Sequence, residues 1–162
     1  MANEGLKKTT EIIEFKIIDL EIKSFSEKNY EEYGLKASDI KEGGCKIGFN
    51  LKIDNKKGII ALSILAEFFS HINKQECKLF SIETVHKFKL KKFGELFKKN
   101  KNNIFNIPDA FVNHLLGIAI GGTRGMLAAS IKIPEYKKII LPLVVTSRLL
   151  DSYKQSVNDA KK

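Results

Sequence analysis

The feature that most limits how this chain can fold is an alternation of apolar and polar residues that runs through its middle. In residues 46–54 the apolar members are Ile47, Phe49, Leu51 and Ile53, and the residues between them are polar or glycine. A period of two predicts a strand with one buried and one solvated face. Residues 59–69 and 77–91 alternate similarly, and short polar runs separate the three segments. The sequence therefore predicts an antiparallel meander with one wet face.

A further strand is predicted before the meander, over residues 12–25. Its apolar phase changes between Ile17 and Ile18, which indicates a β-bulge because one extra residue reverses the side to which the following side chains point. Residues 26–44 are polar, contain three glycines and lack a helical period. We expect this segment to be the crossover loop that joins the first strand to the meander.

After the fourth predicted strand the pattern becomes helical. Residues 93–99 predict a short amphipathic piece, and Pro108 and Asp109 suit the start of a longer helix through preset φ and side-chain capping. Residues 146–157 predict a last amphipathic helix. The predicted fold class is therefore α+β: one domain spanning residues 1–162, in which a four-stranded antiparallel sheet is followed by helices packed on one side.

The composition fits a folded, lysine-rich domain. The chain has 162 residues, 43% of them hydrophobic, and its 28 Lys and Arg outnumber its 19 Asp and Glu to give a net charge of +9. Such a balance attracts polyanions or acidic partners, although a lysine-rich surface also keeps proteins soluble. The ends, residues 1–11 and 158–162, are expected to be flexible. With no signal-like stretch and no apolar run long enough to insert into a membrane, a cytoplasmic location is expected.

Neither the histidines nor the cysteines predict a metal site or a reactive thiol. The histidines fall on three separate predicted elements without paired ligands, and they are His71, His86 and His114. Cys45 and Cys77 are too few for a disulfide framework and have no neighbours that indicate an activated thiolate. We therefore expect no catalytic residue, no cofactor and no metal, and we expect that the protein is not an enzyme.

A glycine-rich run and several carboxylates are candidate binding or catalytic groups. The run Gly117–Gly125 lacks the Gly-Lys-Ser/Thr of a Walker loop and does not follow a strand as a Rossmann loop does. Each glycine inside a helix costs about 1 kcal/mol relative to alanine, so close packing of the helix is the expected compensation. Asp19, Glu21 and Glu83 fall on faces that alternation predicts to be solvated, and Glu67 has no predicted acid-base partner.

Lysines concentrate at the end of the fourth predicted strand and just beyond it. The stripe comprises Lys87, Lys89, Lys91 and Lys92, and Lys98, Lys99 and Lys101 follow. A basic nucleic-acid-binding module is therefore the alternative function. Base stacking would also need exposed aromatic side chains, and Phe88 and Phe93 fall in the core phase. Nucleic acid is accordingly the less favoured partner.

The order of elements resembles the SecB family of protein-export chaperones over about Phe15–Tyr153. The opening strand FKIIDLEIKSF looks like that of the family, and Thr123-Arg124-Gly125 matches the small-Arg-Gly step at the end of its long helix. The family's Leu-Ala-Pro segment and final helix are matched by Leu141, Pro142, Leu143, Leu149, Leu150 and Tyr153. The resemblance implies a SecB-like fold and an ATP-independent holdase chaperone that binds unfolded polypeptides.

The resemblance also implies where clients and partners bind. A hydrophobic client groove would be lined by Ile47, Phe49, Leu51, Leu149, Leu150 and Tyr153. Asp19 lies at the position of an acidic residue that the family uses to contact the SecA motor, and Glu83 can be placed on another such position. Family members are dimers of dimers, so a homotetramer is expected. Ordinary core packing of the six apolar residues is the competing interpretation.

Three departures from the family pattern bear on the role. Extra residues lie between Arg124 and Pro142, Lys23 replaces a second acidic contact, and the terminus NDAKK lacks the acidic, zinc-contacting tail of a SecA partner. The extra residues resemble those of a looser SecB-like branch, which includes chaperones attached to toxin-antitoxin modules that hold an aggregation-prone antitoxin. The expected client is therefore an exported preprotein or an antitoxin.

Overall fold

The computed structural model of the protein describes residues 13–72, 75–99 and 105–159. Its strands are β1 (Phe15–Glu27), β2 (Gly44–Asp54), β3 (Ile59–Ile72) and β4 (Gln75–Leu90). They form one antiparallel sheet in the order β1-β4-β3-β2, so β1 and β2 are its edges. The crossover loop, residues 28–43, joins one edge to the other. The predicted α+β fold with a four-stranded antiparallel sheet is confirmed.

The helices follow the sheet in the chain, as predicted. They are α1 (Phe93–Leu96), α2 (Asp109–Ser130) and α3 (Thr146–Asp159). The first is shorter than expected, and residues 158–159, which were expected to be flexible, belong to α3. The crossover loop contains two short 3-10 helices where no helix was predicted, Tyr30–Tyr33 and Ala37–Glu42.

The two ends of the sheet differ in what closes them. We call the end with the β2–β3 turn, residues 55–58, the turn end, and the end with the crossover loop the crossover end. At the turn end α2 starts beside β1, where the Phe15 and Phe111 rings meet edge to face with centroids 5.7 Å apart. At the crossover end the Glu27 carboxylate accepts the amides of Lys132 and Ile133, each at 3.1 Å. The helix α2 therefore runs along the sheet from the turn end to the crossover end.

The core lies between one face of the sheet and α2. The largest fully buried strand side chains include Ile60, Leu62 and Phe88, and Leu115 and Leu116 of α2 are buried with them. The other face, which we call the outer face, bears the polar members of the alternation. Burying one such side chain stabilises a fold by roughly 1.5–3 kcal/mol, so the alternation alone specifies which face of each strand meets the helices.

The predicted bulge in β1 is confirmed, and a second was not predicted. The register with β4 shifts between Ile17 and Asp19 and again between Ile22 and Ser24. The first shift leaves Leu20 and Ile22 on the helix side of the sheet, opposite His86 and Thr84 of β4. Because β1 is an edge strand, an apolar row on it stays 43–45% exposed, and this row is Ile17, Ile18, Leu20 and Ile22.

Of the four glycines in α2, one shows the close packing that we expected. A Cβ at Gly122 would lie 2.7 Å from Cε1 of His86, so this position requires glycine. A Cβ at Gly117, Gly121 or Gly125 would meet no atom within 4 Å. The expected compensation is therefore present at Gly122 and absent at the other three within the described part of the chain.

Candidate functional site

The structure brings the six predicted groove residues together along the β2 edge. Ile47, Phe49 and Leu51 lie on the helix side of β2 and are partly buried against the core. Helix α3 lies near Ile47, which lines a cleft together with Leu149, and the rings of Phe49 and Tyr153 are 4.6 Å apart with a tilt of 33°. This contact covers the middle of the proposed groove.

The two leucines of α3 differ in how they are placed. Leu149 is partly buried, whereas Leu150 is only 4% exposed and belongs to the core. Ordinary core packing therefore describes Leu150, and a polypeptide could reach it only if α3 moved away. The other five residues remain at the margin of the core, where a groove needs them.

An extended segment before α3 presents apolar side chains to solvent. We call this segment, residues 139–145, the strap. Arg124 holds it from α2, because its Nε donates to the Leu141 carbonyl and its Nη2 to the Pro142 carbonyl, each at 3.1 Å. Leu141 is buried, but Ile140 is 72% and Leu143 92% exposed. The motif Thr-Arg-Gly thus includes a side chain that anchors the strap, a role that sequence reasoning missed.

A cleft of about 390 Å³ lies between the strap, α3 and the beginning of β2. Its lining comprises Cys45, Ile47, Pro142, Leu143, Val144, Val145, Arg148, Leu149 and Ser152. Arg148 is the single charged residue among these. Burial raises the pKa of Cys45 to about 11, so the thiol stays protonated at neutral pH and is not a nucleophile. The cleft is therefore lined mainly by apolar side chains.

A second, smaller cleft of about 230 Å³ adjoins the first and shares Cys45 and Pro142 with it. Phe68 and Phe69 of β3 line it, together with Ile140 of the strap. The apolar lining of the two clefts therefore extends from α3, past the strap, to buried phenylalanines near the crossover end of the sheet.

A buried polar cluster joins β4 to α2. Nε2 of His86 lies 3.0 Å from Oγ1 of Thr84 and 3.1 Å from Oγ1 of Thr123, and the two hydroxyl oxygens are 2.7 Å apart. Thr123 also donates to the Ala119 carbonyl at 2.9 Å. All three side chains are fully buried. Thr84 and His86 occupy the core phase of β4, so the alternation itself was the signal that could have located them.

The protons of this cluster can be placed by elimination. Since Thr123 gives its proton to Ala119, Thr84 must donate to Thr123, and a protonated Nε2 of His86 donates to the hydroxyl oxygens. Nδ1 is then an acceptor, and no described group donates to it. Burial lowers the pKa of His86, which keeps the ring neutral. The cluster has no access to solvent and links helix to sheet.

The two predicted motor-contact residues lie on the outer face, and lysines neutralise both. Asp19 pairs with Lys87 at 2.7 Å, and Glu83 pairs with Lys23 at 2.8 Å. The hydrogen bond from Lys87 lowers the pKa of Asp19, and the same bond raises the pKa of Lys87. This part of the outer face is therefore a ladder of ion pairs, and the contact with a motor protein stays a prediction.

The predicted basic stripe is largely engaged within the protein. Lys91 pairs with Glu14, Lys92 with Glu95 at 3.5 Å, and Lys89 contacts the carbonyl of Lys57. Lys98 and Lys99 follow α1, and Lys101 lies outside the described residues. As predicted, Phe88 and Phe93 are buried.

The remaining candidates are placed apart. His71 and His114 are exposed, Cys77 is buried, and the Glu67 carboxylate pairs with Lys78. Within residues 13–72, 75–99 and 105–159, no group of three or more His, Cys, Asp or Glu side chains could hold a metal ion. None of the helices in the same ranges is long and apolar enough to cross a membrane.

Comparisons with known proteins identify no family. The sequence matches no protein-family model and no curated protein. Among solved structures, the chain is similar to one described as the crystal structure of a protein of unknown function from Streptococcus agalactiae. The identity is 13%, the match covers 82% of this chain and 100% of the other, and the TM-score is 0.26. A TM-score this low supports no inference about function.

Proposed function

We propose that this protein is an ATP-independent holdase of the cytoplasm that binds unfolded or aggregation-prone polypeptides between β2, the strap and α3. The observation that supports this proposal is the apolar surface formed by the strap and the cleft beside it. Exposed apolar side chains that form a patch mark interaction sites, and Leu143 lines this cleft while Ile140 lines the adjoining one. Capture of an apolar segment needs no catalytic group.

The β2 edge supplies backbone groups to the same client. The Leu90 amide of β4 donates to the Gly58 carbonyl. The backbone N–H and C=O groups of Leu90, and of every second residue before it, therefore point toward β3. The residues of β3 that lie opposite them point their own backbone groups back toward β4, and so away from β2. The β2 partners of those β3 residues include Ile47, Phe49 and Leu51, whose N–H and C=O groups therefore point to the free edge of the sheet. An extended client can therefore add as a strand while its side chains enter the groove.

The contact between Phe49 and Tyr153 defines two stages of binding. A client first occupies the open cleft beside the strap. It reaches Phe49 only after Tyr153 has left, because the two rings are in contact. Apolar burial contributes about 25 cal/mol per Å² before ordering costs, and displacement of α3 offsets part of it.

The expected client is a preprotein or an antitoxin. The proposal needs no SecA contact, and the paired state of Asp19 and Glu83 gives that contact no support. A nucleic-acid-binding role is the alternative, although three of the four lysines of the stripe pair with carboxylates.

A second copy of the chain is the expected partner of the β1 edge. The exposed apolar row of β1 lies on an edge of the sheet, and Gly117 and Gly121 of α2 offer open space on the helix. An unpaired edge strand with exposed apolar side chains favours association. Light scattering at micromolar concentration should give about four times 18.3 kDa for a dimer of dimers. A monomeric mass would contradict this part of the proposal.

Suppression of aggregation tests the holdase. The purified protein should keep an unfolded, slow-folding polypeptide soluble without ATP. Ile140→Ser combined with Leu143→Ser should weaken this holding without loss of fold, because both side chains are exposed. Leu65→Ser, at an exposed position on the outer face, is the control and should hold clients like the parent.

Phe49→Ser combined with Leu150→Ser tests the closed part of the groove. Because Leu150 is in the core, this pair should destabilise the protein as well. Its result counts only if the circular dichroism spectrum and the oligomer size are unchanged. If the Ile140→Ser, Leu143→Ser variant held clients as well as the parent does, the proposed groove would be wrong.

A further inference from the structure

The charge of the protein is concentrated at the turn end of the sheet. Residues 14–16, 52–58 and 89–99 meet there, and we call them the lysine end. They contain nine lysines and three carboxylates. The described residues at the crossover end, 27–40, 43–46, 67–72, 75–78 and 131–138, contain seven lysines and seven carboxylates. The excess positive charge is thus a local feature.

Strand register brings these lysines together in space. Lys16 and Lys89 are cross-strand neighbours, and Lys89 and Asp54 each lie opposite Ile59 on either side of β3. The turn residue Gly58 lies against Phe93, so α1 and the lysines that follow it are at the same end. The lysine end is therefore one continuous surface.

Much of this charge is uncompensated. Two of its carboxylates pair with Lys91 and Lys92, and the third, Asp54, accepts the amide of Lys57. Seven lysines of the lysine end have no carboxylate within 4 Å in the described ranges, and they are Lys16, Lys52, Lys56, Lys57, Lys89, Lys98 and Lys99. Like charges in one place repel one another and attract an anionic partner.

The lysine end continues from the groove. The strand β2 begins at the apolar cleft, which Cys45 lines, and ends at Asp54. The nine residue steps between them correspond to about 30 Å of extended chain. A strand added along the free edge of β2 from the cleft would therefore place residues about nine positions away among the lysines.

We infer that the lysine end binds acidic side chains of the same polypeptide whose apolar segment occupies the cleft. The inference rests on the proposed function and names its preferred client class: chains in which an apolar segment is separated by about nine residues from a run of Asp or Glu. A nucleic acid would satisfy the lysines but would leave the adjoining apolar cleft empty. A polypeptide satisfies both parts of one continuous surface.

Labelled peptides of three kinds test this inference by fluorescence anisotropy. Each has the same apolar segment, followed at the stated spacing by four Asp, four Asn or four Lys. The acidic peptide should bind about tenfold more tightly than the Asn peptide at low salt, and the difference should shrink as salt screens the charges. The Lys peptide should bind most weakly.

Protein variants locate the effect. Lys52→Gln, Lys56→Gln and Lys57→Gln together should remove most of the preference for the acidic peptide and leave binding of the Asn peptide unchanged. The control carries Lys132→Gln, Lys137→Gln and Lys138→Gln at the crossover end, which removes the same charge from exposed positions. It should behave like the parent.

The outcomes distinguish a failure of this inference from a failure of the proposed holdase function. Equal binding of the acidic and Asn peptides, with aggregation still suppressed, would overturn the inference and leave the holdase intact. No peptide binding and no suppression would remove the holdase. If a single-stranded oligonucleotide binds more tightly than the acidic peptide and loses affinity in the turn-end triple variant, the lysine end is a nucleic-acid surface and the inference is wrong.

Discussion

His86 is the side chain whose protonation should cost the protein most stability between pH 8 and pH 5. Its ring is enclosed by β4 and α2, and its neighbours across the sheet are Leu62 and Leu20. The nearest charged side chains on these strands, Asp19 and Lys87, point to the outer face. A protonated Nδ1 would direct a buried N–H toward Gly122, where no described acceptor is present.

The direction and size of the effect follow from proton linkage. Burial lowers the pKa of His86 in the folded state, whereas the unfolded chain has an ordinary histidine pKa of about 6.5. The unfolded state therefore binds more protons below that pH. Stability is complete above about pH 6.5 and falls below it by at most about 1.4 kcal/mol per pH unit, until the pH passes the lowered pKa of the folded state. Acidification from pH 8 to pH 5 should therefore remove up to about 2 kcal/mol from the free energy of unfolding.

Urea unfolding of the parent and of His86→Leu at pH 8, 6.5 and 5 measures this loss. In the variant, Thr84 and Thr123 can still bond to each other, and the exposed His71 and His114 are present in both proteins. The parent should lose more stability than the variant over this range, by up to about 2 kcal/mol. Parallel losses would refute the assignment of His86 as the titrating group.

Four further substitutions have expected outcomes. Gly122→Ala should lower the free energy of unfolding by about 1–3 kcal/mol, because the added Cβ would overlap the buried imidazole, whereas Gly125→Ala should raise it by up to about 1 kcal/mol; urea unfolding compares them. Tyr136→Phe removes a buried hydroxyl that donates to a crossover-loop carbonyl at 2.8 Å, so calorimetry should show a loss of about 1 kcal/mol. Arg124→Lys cannot hold both strap carbonyls, and limited proteolysis should cleave the strap faster than in the parent.

Alternation predicted the sheet well because successive side chains of a strand point to opposite faces, so a strand with one buried face has a period of two. The strand β2 was expected over residues 46–54 and forms over Gly44–Asp54, with its apolar face toward the helices. The bulge after Ile17 was found for the same reason, since a bulge changes the phase of the pattern. The second bulge, between Ile22 and Ser24, left a weaker mark, because Phe25 is the one apolar residue of β1 that follows it in the new phase.

The groove was harder to predict, because its geometry depends on contacts between distant segments. That Phe49 and Tyr153 touch follows from how α3 returns along β2, which no local pattern specifies. The anchoring of the strap by Arg124 is a bond from a side chain to a backbone carbonyl, and such bonds leave no periodic signal. Leu150 belonged to the predicted apolar face of α3, but the sequence could not show that this position is in the core.

The order of the strands has a consequence for how the chain is made. The first strand to leave the ribosome, β1, pairs with the last, β4, and Phe15 lies opposite Leu90. At roughly 5–20 residues per second, synthesis separates the two by several seconds, during which β2 and β3 can already form their hairpin. The row Ile17, Ile18, Leu20 and Ile22 stays without its neighbour throughout that interval. A nascent chain of this protein therefore passes through the kind of exposed apolar state from which a holdase protects others.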